Sequence, residues 1–135
     1  MRVFADTSYF EACLNRHDQF HKLAVEASKL GWRELVTTEF VLIELAASFS
    51  KPADRGDFVQ LDKLLRSQAD VHLEPVSPHW MSRGLELYAA RPDKAWSLTD
   101  CISFLVMQEH QLTEALSTDH HFVQAGFKAL LLPDK

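Results

Sequence analysis

Short strand-like runs alternate with longer segments of helical spacing along the whole of this chain. That alternation is the mark of an α/β protein with a mainly parallel sheet, because parallel neighbours need a crossover long enough to hold a helix. No repeat, low-complexity tract or long linker interrupts it, and 135 residues suit a single domain spanning 1–135. A chain of this size buries roughly 70% of its unfolded surface, so it needs no disulfide or structural metal to fold.

Arg2–Asp6 reads as the first strand. Ser8–Leu30 carries helical spacing through Phe10, Cys13, Leu14, Phe20, Leu23, Ala24, Ala27 and Leu30, with a break or kink over Asn15–Gln19 and a stop at Gly31. A second strand is expected over Glu34–Thr38 and helices over Glu39–Phe49 and Arg55–Ala69, the first ended by Lys51-Pro52. Val71–Val76 is a third strand. Pro78–Ala90 is helical, with Pro78 in the favoured first turn. After the Arg91-Pro92 break, Leu98–His110 is a strongly apolar helix. Glu114–Ser117 and Ala129–Leu132 complete five strands, with a short helix around His121–Ala125 and a turn at Gly126 between them.

Cys13 and Cys101 form no CxxC pair and fit small core residues in a reduced, cytoplasmic setting. The N-terminus has no signal-peptide pattern, since Asp6 arrives at once, and no apolar run approaches the roughly 18 residues of a membrane span. The net charge of −5 argues against non-specific coating of nucleic acid by a basic surface. It leaves room for a nuclease, because carboxylates that hold a cation carry formal negative charge and the cation reverses the local field.

Four acidic residues bear most directly on function. Asp6, Glu44, Asp100 and Asp119 each follow or interrupt an apolar run, where an unused carboxylate is unfavourable. Asp6 and Asp119 stand at the C-terminal ends of expected strands, the edge where open α/β sheets bind ligands. Glu44 falls among Phe40, Ile43 and Ala47 on what reads as the apolar face of its helix, with no lysine or arginine three or four residues away. Each has a plainer explanation. Asp6 and Asp119 suit N-caps, Ser97 and Asp100 have capping-box spacing, and Glu44 could simply be solvated. Taken together, carboxylates within about 5 Å of one another raise each other's pKa and need a cation, and hard ions such as Mg²⁺ and Mn²⁺ prefer oxygen ligands.

In this order and spacing, the residues resemble the acidic signature of PIN domains, in particular single-domain ribonucleases of the VapC toxin type. The resemblance runs from the strand entering Asp6-Thr7-Ser8, through Glu44 six residues after Thr38 and the Ser97–Cys101 segment SLTDC, to Leu116–Phe127 before the last strand. It implies a three-layer α/β/α fold with a five-stranded parallel sheet in the order 3-2-1-4-5. It also implies a Mg²⁺ site, with Mn²⁺ as substitute, at Asp6, Glu44 and Asp100, completed by Asp119. The implied activity is endoribonuclease cleavage of RNA by the toxin of a type II toxin–antitoxin pair, inhibited by a small antitoxin and commonly homodimeric. The rival reading is a non-catalytic PIN-like or receiver-like module that binds a partner. A receiver normally has an acidic pair after its first strand and a lysine after its fifth. Here Thr7-Ser8 follows Asp6, and Lys135 lies outside the right setting.

Other residues carry weaker signals. Seven histidines include His17 and His21 at i, i+4 and the adjacent His120-His121, but there is no HExxH and no Cys/His set with zinc spacing. Ser8 is expected to satisfy local backbone groups, and Thr118 either to do the same or to orient a carboxylate. Lys51, Arg55 and Lys94 are the basic residues placed nearest the acidic edge. Trp80, Tyr88 and Trp96 are read as core, Trp96 being the best placed to stack on a base.

Overall fold

Val3, Phe4 and Ala5 are all fully buried although successive strand residues point to opposite faces, so β1 (Arg2–Ala5) is covered on both sides. The computed structural model describes residues 1–133; Lys135 lies outside the described residues. After β1 come α1 (Thr7–Leu14), α2 (His21–Ser28), β2 (Glu34–Thr38), α3 (Glu39–Ser48) and α4 (Arg55–Ser67). The chain continues with β3 (Val71–Glu74), α5 (Pro78–Ala90), α6 (Leu98–Glu109), β4 (Glu114–Leu116), α7 (His120–Gln124) and β5 (Lys128–Ala129). The five strands form one parallel sheet in the order β3-β2-β1-β4-β5, as expected. Phe4 pairs with Val36 on one side and Ala115 on the other, which puts β1 at the centre and the ends of β1 and β4 side by side.

Local chemistry starts the helices where the strands end. Thr38 caps α3 by accepting the Val41 N–H, and Ser77 caps α5 by accepting that of Trp80 ahead of Pro78. An aromatic cluster then joins the layers. Phe104 of α6 packs edge-on against Phe122 of α7 and against Trp96, each with ring centroids 5.0 Å apart, and Phe122 lies 6.2 Å from Phe4 of β1. These rings tie the starts of α6 and α7 to the central strand.

The α5–α6 contact depends on Gly84, where a Cβ would collide with the Ile102 side chain. Gly84→Val is expected to destabilise the protein by about 1–3 kcal/mol, because overpacking outweighs the gain in helix propensity. Urea unfolding checks this, and an unchanged midpoint would show that the α5–α6 seam yields freely.

Several local expectations are corrected. One of them resolves as a break: Asn15 and Asp18 accept the N–H groups of His17 and Phe20, and these side-chain turns divide Ser8–Leu30 into α1 and α2. Leu23 and Leu30, which carry the helical spacing of Ser8–Leu30, are exposed. The last strand is Lys128–Ala129 instead of Ala129–Leu132, because the Leu132 N–H turns back to the Ala129 carbonyl. Tyr88 is exposed, whereas Trp80 and Trp96 are buried as expected. His21 is held by a 2.7 Å contact from Nδ1 to the Ala12 carbonyl rather than being free in solvent.

Candidate active site

Asp6 is the first residue beyond β1 and only 4% exposed. It holds the N-cap position of α1, yet its side chain caps nothing. Its Oδ2 instead accepts two hydroxyl hydrogen bonds, from Ser8 at 2.8 Å and from Ser117 at 2.9 Å. Burial pushes the Asp6 carboxyl up to about 7, the two hydroxyls offset part of that rise, and the negative charge of Asp100 adds to it. The capping explanation therefore does not account for Asp6.

Asp100 and Asp119 do cap helices, and they also converge. Asp100 completes a capping box with Ser97 at the start of α6. The same Oδ2 that accepts the Ser97 N–H lies 2.9 Å from His121 Nδ1. Asp119 accepts the His121 N–H through Oδ1, and its Oδ2 lies 3.4 Å from His121 Nδ1. One ligand atom from each of Asp100, Asp119 and His121 lies within 4.8 Å of the others. Ser117 connects this group to Asp6, because its hydroxyl donates to Asp6 and accepts the Asp119 N–H.

Glu44 stands apart from the tight group. Neither it nor Asp6 belongs to a set of three or more such ligand atoms all within 4.8 Å among the described residues. The buried side of α3 is Val41, Leu42 and Leu45, and Ile43 is 62% exposed, so Glu44 is half-buried at the margin of an apolar face rather than enclosed by one. It is nonetheless on the right flank. The helices α1 and α3 leave adjacent parallel strands in the same direction and touch through Ser48 Oγ and Glu11 Oε1. One helical turn earlier on each lie Glu44 and Thr7, and the buried Thr7 hydroxyl has no partner.

Three contributors were missed or misread in the sequence. Ser8 orients the Asp6 carboxylate rather than serving only the backbone. Ser117 does so from a position 111 residues away. His121 was weighed only as half of a histidine pair, although its place two residues into the turn capped by Asp119 was legible. The basic residues divide differently than expected. Arg55 Nε donates to the Ser50 carbonyl and Lys51 is exposed, both beyond the C-terminal end of α3, the end away from the strand edge that carries Asp6. Lys94 lines a groove with Tyr88, Trp96 and Ser97, next to the start of α6.

The donor set is oxygen-rich with one imidazole, and among the described residues Asp6 has hydroxyls but no cationic side chain on its carboxylate. That composition fits a hard divalent cation such as Mg²⁺ or Mn²⁺.

The fold and the site together define a doubly wound α/β protein with carboxylates gathered where β1 and β4 end. The PIN domain profile matches residues 3–128, and the chain belongs to that family. No curated protein matches its sequence. Among solved structures it is similar to VapC20 of Mycobacterium tuberculosis, a Sarcin-Ricin loop cleaving toxin, at 24% identity and a TM-score of 0.84, covering 93% of this chain and 95% of that one. It is also similar to VapBC2 of Rickettsia felis, solved bound to a DNA fragment from its promoter, at 14% identity and TM-score 0.65, covering 96% of this chain and 97% of that one. FitAcB of Neisseria gonorrhoeae matches at 14% identity and TM-score 0.63, covering 96% of each chain.

Proposed function

We propose that this chain is a divalent-cation-dependent endoribonuclease that hydrolyses RNA phosphodiester bonds in the cytoplasm, as the toxin of a type II toxin–antitoxin pair. Membership of the PIN family supports the nuclease. Likeness to a toxin that cleaves the Sarcin-Ricin loop supports RNA as substrate. Likeness to VapBC2 and FitAcB supports a small antitoxin partner, and the homodimer rests on the PIN resemblance alone. The observation that carries the reading is Asp6, a buried carboxyl pushed up to about 7 beside Asp100 and held only by hydroxyls among the described side chains.

In this reading Asp6, Glu44, Asp100 and Asp119 hold Mg²⁺, or Mn²⁺ in its place, with His121 bracing two of them. When bound, the cation supplies a lowered water pKa and neutralises the negative charge that gathers on a phosphodiester during hydrolysis. Ser8 and Ser117 fix the Asp6 carboxylate through Oδ2 and so would orient it for the ion. His121 Nδ1 holds the Asp100 and Asp119 carboxylates toward each other. Glu44 closes the flank along α3. No side chain acts as a covalent nucleophile. Lys94 offers a positive charge to a neighbouring RNA phosphate from the groove beside Ser97.

The test is cleavage of mixed RNAs by purified protein in Mg²⁺, Mn²⁺ or EDTA. Cleavage in either cation and none in EDTA is expected; cleavage that persists in EDTA rejects the cation. Ser117→Ala is expected to lower the cleavage rate by about 10–100-fold while the protein stays folded, because it frees a ligand that was held in place. An unchanged rate would mean that Ser8 alone suffices to orient Asp6.

A further inference from the structure

A second group of ligand atoms lies at the opposite end of α6 from Asp100. His72 of β3, Glu74 at the end of the same strand and His110, just beyond α6, each offer one ligand atom within 4.8 Å of the others. His72 and Glu74 are two residues apart in a strand, so their side chains share one face of the sheet. The C-terminal end of α6 crosses that face and brings His110 to them. Since α6 begins beside Asp100, its rise separates the two groups by about 15 Å.

The spacing suits one small cation. Glu74 Oε2 lies 2.7 Å from His72 Nε2 and 3.6 Å from His110 Nε2. Ligands on a tetrahedral ion with bonds of about 2.0–2.1 Å sit roughly 3.3 Å apart, a value between those two. The carboxylate is already oriented, because Trp80 Nε1, itself buried, donates to Glu74 Oε1 at 2.9 Å and leaves Oε2 for a ligand role. The nearby Arg2 guanidinium is matched by Glu34 at 2.8 Å, so no unbalanced positive charge repels an incoming ion. His72 is exposed, which gives the ion an entry path and leaves room for water on its remaining positions.

We infer that His72, Glu74 and His110 form a binding site for a borderline transition-metal ion, Zn²⁺ foremost, separate from the acidic site. Two imidazoles and one carboxylate are a donor set that Zn²⁺ accepts and that Mg²⁺, which favours oxygen, does not. Binding replaces the direct His72 Nε2–Glu74 Oε2 contact, and both atoms then face the ion. The ion joins the edge strand β3 to the end of α6 and stabilises the folded state.

The experiment is a calorimetric titration of metal-free protein with ZnCl₂ in saturating Mg²⁺, which occupies oxygen sites and not this one. One saturable equivalent of Zn²⁺ is expected, with a melting temperature raised by roughly 10 °C at hundredfold excess over Kd. His72→Gln and Glu74→Gln should each lose the binding and the shift while keeping the circular dichroism of the parent and its Mn²⁺-dependent cleavage of RNA. His72 is exposed and glutamine can keep the Trp80 hydrogen bond, so both variants should fold. Absence of saturable Zn²⁺ binding in Mg²⁺ overturns the site. So does binding that survives both substitutions, which would place the zinc at Asp100, Asp119 and His121.

Discussion

Asp6→Asn is expected to reduce Mg²⁺-dependent RNA cleavage by on the order of a thousandfold, about 4 kcal/mol of barrier, and at the same time to raise the melting temperature of the protein in chelator. The two effects have one cause. The Asp6 carboxyl is buried and lies near Asp100, and burial together with that charge disfavours its ionised form. Asparagine keeps the shape and an oxygen for the Ser8 and Ser117 hydroxyls, but has no charge to desolvate and none to offer a metal. Cleavage assays and thermal melts of the same preparation measure both effects. A variant with full cleavage would remove Asp6 from the site. A variant with lost cleavage and a lower melting temperature would mean that the carboxylate holds the fold together.

The second large effect is a pH dependence. With chelator present, the stability of the parent relative to Asp6→Asn is expected to fall by roughly 2–3 kcal/mol between pH 5 and 8. The folded protein keeps a proton on Asp6 up to about pH 7, whereas the unfolded chain releases it near 3.8. The contribution is therefore fully present below pH 3.8 and declines as pH climbs toward 7. Glu34, Glu39 and Glu74 act in the opposite sense, since their hydrogen-bonded partners hold them below the ordinary carboxylate range and their contribution is lost in acid. Comparing parent with variant cancels them. Denaturant titrations at several pH values give the difference, which Mg²⁺ should largely remove. A difference that stays flat from pH 5 to 8 would contradict a raised Asp6 pKa.

A mainly parallel α/β sheet and the placement of Asp6, Asp100 and Asp119 were legible in the sequence because each carboxylate ends or begins an element, where strand and helix periods change; the strand order itself came from the resemblance to PIN domains. Glu44 was harder to read. α3 carries apolar residues nearly all round, so the spacing of Phe40, Ile43 and Ala47 did not reveal which side faces inward, and the buried side proved to be Val41, Leu42 and Leu45. The hydroxyl bridge could not be foreseen either. Ser8 and Ser117 meet only because β1 and β4 are sheet neighbours, and no local pattern marks a serine that will orient a distant carboxylate. Leu23 and Leu30 fall on the helical spacing yet stay exposed, since periodicity gives a face but not the width of what covers it.

The capping box at the head of α6 has a consequence for how such a chain can lose its chemistry. Asp100 serves helix and pocket through one oxygen, so truncating its side chain frays a central helix along with the pocket. Asp6 carries no such second duty, and neutralising it relieves tension in the fold. A disarmed descendant that keeps only the shape, as a decoy for a binding partner, is thus most easily reached by a single-atom exchange at the end of the first strand.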